Sequence, residues 1–406
     1  MSLLFCDSFD HYAALSQKYD SVLTPANLSV VASAARNGAG GLKLAGSSGA
    51  VLKNIANTAT LFFGFAVNVN VAPSGVSGQL CGFLDGGTFQ VDLRMDSGGH
   101  LIFTRGNGAA TLGTSTSALS FGTWHYIEVK VTIDGTVGVA EVKVDGVFFL
   151  QLSGLNTKQT TNAFAGQVQL GSQNTLGAST VLFFDDVYLL NTSGSVNNTY
   201  LGDLRVTMAL PSANGTLNNY TNAWAAWAVS TVMAVGQQIK DSNNNIQEVQ
   251  SITSDFKTGT VAPTWATTGG TTTVDNHVTW VVRGAGANPG AANWMAVSEN
   301  PPDDNNSYVT DATVSDQDRY TFPAIAASQV FAVVVNMRAE KDDAAVRTIR
   351  AVTKSGATTA DNGSDFALTQ NSYADFQGIF ETDPNTSAAW TQAGVNAAEF
   401  GVKTTA

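Results

Sequence analysis

The segment 124–150 constrains the fold more than any other part of the chain, because its apolar and polar residues alternate with a period of two. Apolar residues recur at every second position of 127–133 and again in 140–144. Such alternation places one face of a strand on a core and the other face in water. Asp145 and Gly146 follow the second run, and an Asp-Gly pair supplies the positive φ angles of a tight hairpin turn. The segment therefore predicts antiparallel, half-buried strands joined by a hairpin.

The composition extends this prediction to the whole chain. Charged residues make up 13% of the sequence, against roughly 25% in typical soluble domains. The chain also contains 39 glycines, and many of them stand in clusters between the apolar runs. These features indicate a protein of strands and turns with a polar, largely uncharged surface. A chain of 406 residues has room for two or three domains that each bury a core.

Charge and hydropathy exclude several classes of partner. The formal net charge is −12 and the 20 basic residues are scattered, whereas nucleic-acid binding needs clustered Lys and Arg. No apolar run is long enough for a membrane-spanning helix. The first seven residues lack a basic region and end at Asp7, so we expect no signal peptide and synthesis in a cytoplasm. Cys6 and Cys81 predict two buried thiols, with a single disulfide bridge as the alternative.

The spacing of strand and turn signals divides the chain into three predicted domains within an all-β fold class. Residues 1–203 predict a jelly-roll sandwich of roughly ten to fourteen strands. Residues 204–221 together with 288–406 predict a second, smaller β-sandwich, whose opening strand would be 204–210. Residues 222–287 hold four of the seven tryptophans and predict a small Trp-rich β module inserted into the second sandwich.

The residues predict no catalytic site, no cofactor and no metal ligand. The four histidines are far apart in sequence, and no Ser-His-Asp order or nucleophile motif is visible. His125 stands at a strand start and is interpreted as an ordinary surface or edge residue. Glycoside hydrolysis is the enzymatic alternative, because it needs only two facing carboxylates. The adjacent pair Asp185 and Asp186 would point to opposite faces of a strand, which disfavours that chemistry.

The tryptophans of the inserted module have two interpretations. An indole face stacks on the apolar face of a sugar ring and its N–H offers a polar contact, so Trp224, Trp227 and Trp265 are candidates for glycan contact. In so small a module, however, tryptophans also form the core. The core interpretation is favoured for Trp265 and Trp280, and both interpretations stay open for Trp224 and Trp227.

Several segments resemble structural proteins of tailed bacteriophages. The opening LFCDSFDHY (4–12), GTWHYIE (122–128) and FDDVYL (184–189) are similar to the laminin-G/concanavalin-type jelly roll of those proteins. The later segments YLGDLRV (200–206) and RAEKDD (338–343) also resemble that family, and the likeness covers most of the chain outside the insert. The insert is similar to small Trp-containing modules of phage fibres and spikes.

This resemblance implies a non-enzymatic structural component exposed on a tailed-phage virion. The position on the particle stays open among a tail fibre, a tail-tip appendage and a capsid decoration. The implied partners are other virion proteins, further copies of the chain in a symmetric homo-oligomer, and a bacterial surface glycan. The alternative function is that of a carbohydrate-active protein that binds or hydrolyses bacterial surface polysaccharide.

The same resemblance raises a question about calcium. Concanavalin-type folds bring their first and last strands together, so Asp7 or Asp10 would approach Asp185 or Asp186. Such an oxygen cluster suits Ca²⁺. The alternative is that these carboxylates cap turns or accept hydrogen bonds from the backbone, and the sequence assigns no metal ligand.

Overall fold

The computed structural model describes residues 1–74, 77–174, 176–285 and 293–406. The chain forms two compact units, unit 1 (Met1–Met208) and unit 2 (Ala209–Ala406). Strands dominate both units, and an α-helix, α1, spans Gln392–Ala397. The predicted all-β fold class is confirmed.

Unit 1 is built from strands that follow one another in two antiparallel sheets. In chain order they are β1 (Leu3–Asp7), β2 (Ser21–Leu23), β3 (Leu28–Val31), β4 (Gly41–Ala45), β5 (Gly49–Thr58), β6 (Thr60–Val71), β7 (Gly78–Asp85), β8 (Thr88–Met95), β9 (His100–Arg105), β10 (Ala110–Ala118), β11 (Trp124–Thr132), β12 (Gly138–Val144), β13 (Val147–Leu155), β14 (Ala165–Ser172) and β15 (Val181–Asn191). Short 3-10 helices lie at Leu15–Gln17, Pro25–Asn27 and Ala32–Ala34.

The two sheets of unit 1 form a sandwich. Counting described residues only, sheet A has eight strands in the order β13-β12-β11-β6-β15-β4-β3, with β1 paired to β15. On the same basis sheet B has seven strands in the order β10-β9-β8-β7-β14-β5-β2. The total exceeds the predicted ten to fourteen because β2 and β3 are three and four residues long, too short to show alternation in the sequence.

The hairpin predicted at 124–150 is confirmed. Strands β11 and β12 pair in antiparallel register, with Ile127 opposite Val144 and Val129 opposite Val142. Asp145 and Gly146 form the next turn, to β13, with φ angles of 51° and 81°. Positive φ at both central residues matches the right-handed twist of the flanking strands.

The core of unit 1 lies between the two sheets. Phe63 of sheet A meets Phe83 of sheet B edge to face, with ring centroids 6.3 Å apart. Phe65 packs against Phe184 of the neighbouring strand at 6.0 Å. Each such side chain contributes about 1.5–3 kcal/mol by leaving water, so this layer is the main source of stability in unit 1.

Unit 2 contains shorter strands. In chain order they are β16 (Ala213–Asn218), β17 (Thr221–Trp224), β18 (Gln238–Lys240), β19 (Asn245–Ile252), β20 (Thr272–Asp275), β21 (Val278–Ala285), β22 (Ser307–Thr310), β23 (Gln317–Thr321), β24 (Val333–Ala339), β25 (Thr348–Ser355), β26 (Thr358–Asp361), β27 (Phe366–Ala367), β28 (Ala374–Phe380), β29 (Thr382–Asp383), β30 (Ala388–Ala389) and β31 (Glu399–Thr404). Helix α1 precedes β31, and 3-10 helices lie at Asn293–Val297 and Asp304–Asn306.

Unit 2 contains the second sandwich of the chain, in which one larger sheet packs against a two-stranded ribbon. The larger sheet follows the order β16-β23-β31-β25-β26, with β27 beside β25, and the ribbon is β24-β28. Phe380, Trp390 and Phe400 form the core between them. Trp390 donates its indole N–H to the Phe380 carbonyl at 2.9 Å, so its polar atom is satisfied inside the core.

The Trp-rich module of unit 2 has its own sheet, β18-β19-β21-β20, and its own apolar core. The predicted start of this module, 221/222, falls inside β17, which pairs with β22 rather than with the module's sheet. The predicted end, 287/288, lies outside the described residues. The division into three domains stays a prediction.

The strand predicted at 204–210 is wrong. This stretch makes no ladder. Its residues 204–207 belong to a covering segment, defined here as residues 200–207, on the outer face of sheet A. The Gly202 N–H donates to Glu128 Oε1 and the Val206 N–H donates to Asp186 Oδ1, both at 2.8 Å. Because side-chain carboxylates take these backbone donors, the apolar pattern of the segment does not need a strand partner.

Candidate functional site

An aromatic platform lies on the outer face of sheet A. We define it as Phe62, Glu141, Lys143, Phe148 and Tyr200. Alternation along β12 turns Glu141 and Lys143 outward, and register places Phe148 opposite Lys143. Tyr200 arrives from the covering segment, with its ring centroid 5.0 Å from Phe62 and 6.0 Å from Phe148. The platform therefore joins three strands, β6, β12 and β13, to a segment distant in sequence.

Charged groups hold the rings of the platform in place. Lys143 Nζ lies 4.2 Å from the Tyr200 ring centroid and 4.6 Å from that of Phe148, within range of cation–π attraction. The Tyr200 hydroxyl donates to Glu141 Oε2 at 3.0 Å. Burial and the Glu141 charge raise the pKa of Tyr200, so the hydroxyl stays protonated. Phe148 remains 43% exposed, which leaves ring surface open to a ligand.

A hydroxyl, an imidazole and a carboxylate form a second constellation at the start of β11. Ser120 Oγ lies 2.8 Å from His125 Nε2, and His125 Nδ1 lies 2.8 Å from Asp145 Oδ2. Thr123 Oγ1 lies 2.8 Å from Ser120 Oγ and 3.3 Å from His125 Nε2. The interpretation of His125 as an ordinary edge residue did not anticipate these partners.

The sequence hides this constellation because hairpin register brings in its carboxylate. Asp145 stands 20 positions after His125, but the two come together because β11 pairs with β12. Ser120 reaches the same point through the turn before β11. A motif search looks for fixed local spacing and so misses this contact. The hairpin predicted over 124–150 does contain the signal, because pairing its strands up to the Asp145-Gly146 turn brings Asp145 to the start of β11.

The four aspartates considered for calcium bind mainly backbone. Asp10 Oδ1 accepts from the Ala39 and Gly40 N–H groups. Asp185 Oδ2 accepts from the Arg36 and Asn37 N–H groups at 2.7 and 3.1 Å. These contacts match the alternative that the carboxylates accept backbone hydrogen bonds.

The remaining two aspartates of that set have side-chain partners as well. Asp7 Oδ2 accepts from the Tyr12 hydroxyl at 2.7 Å. Asp186 accepts from Val206 and lies 3.4 Å from Arg36 Nη1. Across the described ranges, no group of three or more His, Cys, Asp or Glu residues has an arrangement that could hold a metal ion.

Buried carboxylates near Arg36 carry raised pKa values. Burial, reinforced by the neighbouring charge of Asp186, raises the pKa of Asp185 to about 7. Burial also raises the pKa of Asp186 to about 6, although Val206, Arg205 and Arg36 favour its charged form. Both groups are therefore partly protonated near neutral pH, a property that bears on stability.

A polar network lies on the outer face of sheet B. Asp92 accepts from Arg94 Nε at 2.5 Å and from the Thr104 hydroxyl, and Gln79 donates to the same carboxylate at 3.3 Å. Burial raises the pKa of Asp92, against the opposing effects of Arg94 and these hydrogen bonds. Arg94 Nη2 continues the network to Asn107 Oδ1 at 2.9 Å. Because these groups satisfy one another, the network is a support for the sheet rather than an open site.

The structure separates the three tryptophans that were candidates for glycan contact. Trp224 is buried against Met295 and donates its N–H to Gln238 at 3.1 Å. Trp265 is buried edge to face against Trp280 in the module's core. Trp227 is half-buried and donates to Asp275 Oδ2 at 2.7 Å. Glycan contact through these residues stays a prediction, and of the three only Trp227 keeps a partly exposed indole.

Two further sequence expectations can be compared with the structure. Cys6 and Cys81 are not joined by a disulfide bridge. Cys81 is fully buried as predicted, whereas Cys6 is half-buried. In the part of the chain that the structure describes, no helix combines the length and the hydropathy needed to cross a membrane.

Comparisons with known proteins give likenesses of fold only. No protein-family model matches the chain, and no curated protein sequence matches it. Among solved structures, the chain is similar to "Cellulose induced protein, Cip1", with a TM-score of 0.37 and 15% identity, over 46% of this chain and 96% of that one. It is similar to alginate lyase Aly36B, with a TM-score of 0.34 and 11% identity, over 46% of this chain and 96% of the lyase. It is also similar to Trypanosoma rangeli sialidase, with a TM-score of 0.29 and 16% identity, over 37% of this chain and 25% of the sialidase.

Proposed function

We propose that unit 1 is a glycan-binding jelly roll whose contact surface is the aromatic platform. The observation that carries this proposal is the Phe148 ring, which is exposed but held between Lys143 and Tyr200. A single exposed apolar residue needs no functional explanation. An exposed aromatic ring that is fixed by two neighbours and bordered by hydrogen-bonding groups has the composition of a sugar-binding surface.

The platform is organised before any ligand arrives. Tyr200 is fixed by its hydrogen bond to Glu141 and by the Lys143 ammonium, and Lys130 Nζ stands 3.6 Å from Glu141 Oε2. Side chains that are already ordered lose little conformational entropy on binding. A pyranose ring would stack on Phe148, while the Glu141 carboxylate and the Lys143 ammonium would bind its hydroxyl groups.

We also propose that the protein is a structural component exposed on a tailed-phage virion. This proposal rests on the sequence resemblance of segments such as 4–12 and 200–206. Its implied partners are other virion proteins and further copies of the chain, as a tail fibre, tail-tip appendage or capsid decoration. In that setting the glycan would be a bacterial surface polysaccharide, and the role of the platform would be attachment rather than cleavage.

Affinity electrophoresis in gels that contain purified bacterial surface polysaccharides tests glycan binding. We expect retardation of the full chain and a roughly tenfold weaker affinity for Phe148→Ala. A tenfold change corresponds to about 1.4 kcal/mol, which is within the range of one aromatic contact. Phe256→Ala is the matched control, because Phe256 is 59% exposed and lies in unit 2. Equal loss in both variants, or no retardation of the full chain by any polysaccharide, would contradict the proposal.

Cleavage of the same polysaccharides separates binding from glycoside hydrolysis. The platform as defined holds one carboxylate, Glu141, whereas hydrolysis needs an acid and a second carboxylate about 5–10 Å apart. We therefore expect no new reducing ends and no fall in viscosity during incubation with the full chain. Release of shortened chains would favour the alternative of a polysaccharide hydrolase.

A further inference from the structure

We propose that Ser120, His125 and Asp145 form a nucleophilic site that hydrolyses small-acyl carboxylic esters of alcohols. This activity goes beyond glycan binding and does not depend on it, since the three residues lie outside the aromatic platform. It also revises the expectation, drawn from the sequence, that the chain has no catalytic residue.

The hydrogen bonds run in the order that nucleophile activation requires. His125 Nδ1 lies 2.8 Å from Asp145 Oδ2, and His125 Nε2 lies 2.8 Å from Ser120 Oγ. A carboxylate only accepts hydrogen bonds, so in the neutral imidazole Nδ1 carries the proton and Nε2 presents its lone pair to the serine hydroxyl. A nucleophile, a base and a group that orients the base are the three roles of such a site.

Fixed backbone holds the base and its orienting carboxylate. His125 lies in β11, paired with Val67 of β6. The Asp145 N–H donates to the Tyr126 carbonyl at 2.9 Å, and Asp145 Oδ1 accepts from the Tyr126 N–H at 2.8 Å. One carboxylate oxygen is thus anchored to β11, which aims the other at His125.

The turn that carries the nucleophile is anchored on both sides. The Leu119 N–H donates to the Gly99 carbonyl, and the Gly122 N–H donates to the Val69 carbonyl, both at 2.9 Å. These bonds fix the backbone one residue before and two residues after Ser120. A hydroxyl on a fixed turn meets its base without an ordering cost, which is how positioned groups accelerate reactions.

A second His–Asp pair in unit 1 provides a contrast. His100 Nδ1 lies 3.1 Å from Asp96 Oδ2, within one turn and four positions apart in sequence. Asp96 Oδ1 also accepts from the Gly98 and His100 N–H groups, so that carboxylate caps its own turn. Asp145, by contrast, contacts His125, which lies in a different element of the hairpin. His125 also contacts Ser120.

The reaction needs only the ester and water. Ser120 Oγ attacks the carbonyl carbon of the ester while its proton passes to His125 Nε2. The C–O bond to the alcohol then breaks, and the alcohol leaves with the proton from Nε2, so the acyl group is bound to Ser120. Water attacks this acyl-enzyme and gives a proton to Nε2. That proton returns to Ser120 Oγ as the carboxylic acid departs.

The site lies open at the surface of unit 1, so we assign it acyl groups small enough to need no buried pocket. Ser120 and Thr123 are exposed, so an acyl group that projects from a larger molecule can reach them. The Thr123 hydroxyl, 2.8 Å from Ser120 Oγ, is placed to donate to the developing oxyanion. Asp145 has a side chain that is 53% exposed, so water screens its charge and we expect a modest rate.

Hydrolysis of p-nitrophenyl acetate by the full chain tests the proposal. Because a positioned base contributes about 100-fold or more, we expect Ser120→Ala and His125→Ala each to lower the rate at least about 100-fold, to that of buffer. His100→Ala and Ser117→Ala are the matched controls and should keep the full rate, and Thr123→Ala should fall between. Thermal melting confirms that each variant is folded.

Covalent labelling identifies the nucleophile independently of turnover. A fluorophosphonate should modify the full chain once, at Ser120, as mapped by mass spectrometry of peptides, and should fail to label His125→Ala. Label at Thr123, or no label, would overturn the assignment of Ser120. Loss of ester hydrolysis in His125→Ala but not in Ser120→Ala would show plain imidazole catalysis and would also overturn it. Neither assay involves polysaccharide, so failure here leaves glycan binding untouched, and the reverse also holds.

Discussion

Unit 1 and unit 2 each contain a β-sandwich, but they bury their apolar residues differently. In unit 1, among the residues described, most of the core is one continuous cluster between two sheets of long strands. In unit 2 the buried apolar residues fall into separate clusters. One contains Trp265 and Trp280, another contains Trp224, and a third contains Trp390. Long alternating strands supply a core from many medium-sized side chains, whereas short strands depend on a few large ones.

The contrast follows from strand length. Strands β6 and β15 of unit 1 have 12 and 11 residues, so each presents several residues to the core. In unit 2, β18 has three residues and β20 has four, and each presents one or two. A tryptophan buries more surface than any aliphatic residue, so it compensates for the short strands around it. Stability in unit 2 should therefore be concentrated in single residues.

Trp280→Ala should produce the largest effect. Trp280 is fully buried and packs against Trp265, so its loss should lower the free energy of unfolding of the module by about 3–5 kcal/mol. Hydrogen exchange read by mass spectrometry would follow β18–β21 and the strands of unit 1 separately. Trp227→Ala, at a half-buried indole, should cost far less. Equal exchange rates in both variants would contradict the concentration of stability in the buried Trp280.

How much the sequence could predict depends on how local each signal is. The hairpin at 124–150 was predicted correctly because alternation and the Asp145-Gly146 turn are both readable within a few residues. The segment 204–210 has a similar apolar pattern, but the Val206 N–H donates to the Asp186 carboxylate, and no local pattern encodes that choice. His125 and Tyr200 owe their roles to Asp145 and Glu141, which stand 20 and 59 positions away and come close only in the folded chain.

The two units also differ in how each stabilises a buried aspartate. Asp92 of unit 1 pairs with the buried Arg94. Asp318 of unit 2 accepts from neutral donors, a tyrosine hydroxyl at 2.6 Å and two asparagine amides at 2.7 Å. Removing one partner of a buried ion pair leaves an uncompensated charge, so Asp92→Asn should cost about 3 kcal/mol.

The matched substitution in unit 2, at Asp318, should lower the free energy of unfolding less. Asp318→Asn keeps one acceptor and leaves no buried charge, so it should cost about 1–2 kcal/mol. Chemical denaturation monitored by hydrogen exchange would assign each loss to its own unit. If Asp318→Asn proved the more damaging of the two, the predicted ranking of a buried ion pair above neutral hydrogen bonds would be wrong.

The pH dependence of unit 1 should show the raised pKa values of Asp185 and Asp186. Their pKa values, about 7 and about 6 in the folded chain, exceed the ordinary value of 3.8. Between these values the folded state holds protons that the unfolded chain has released, so the free energy of unfolding falls as pH rises. At about 1.4 kcal/mol per pKa unit, the two shifts together predict a loss of several kcal/mol from about pH 4 to about pH 7. Asp185→Asn should flatten this slope even if it lowers stability at every pH, and an unchanged slope would contradict the assignment.

The smallest effect should come from the cap of α1 in unit 2. Thr391 Oγ1 accepts from the Gly394 N–H at 3.0 Å and satisfies a donor that a six-residue helix cannot use internally. Thr391→Ala should cost about 1 kcal/mol, and Thr391→Ser, which keeps the oxygen, should cost a few tenths at most. If stability in unit 2 is concentrated in Trp390 and its neighbours, this loss should appear as faster exchange in α1 alone. Faster exchange across the second sandwich would mean that its core relies on the helix, and that stability in unit 2 is shared more widely than the separate tryptophan clusters suggest.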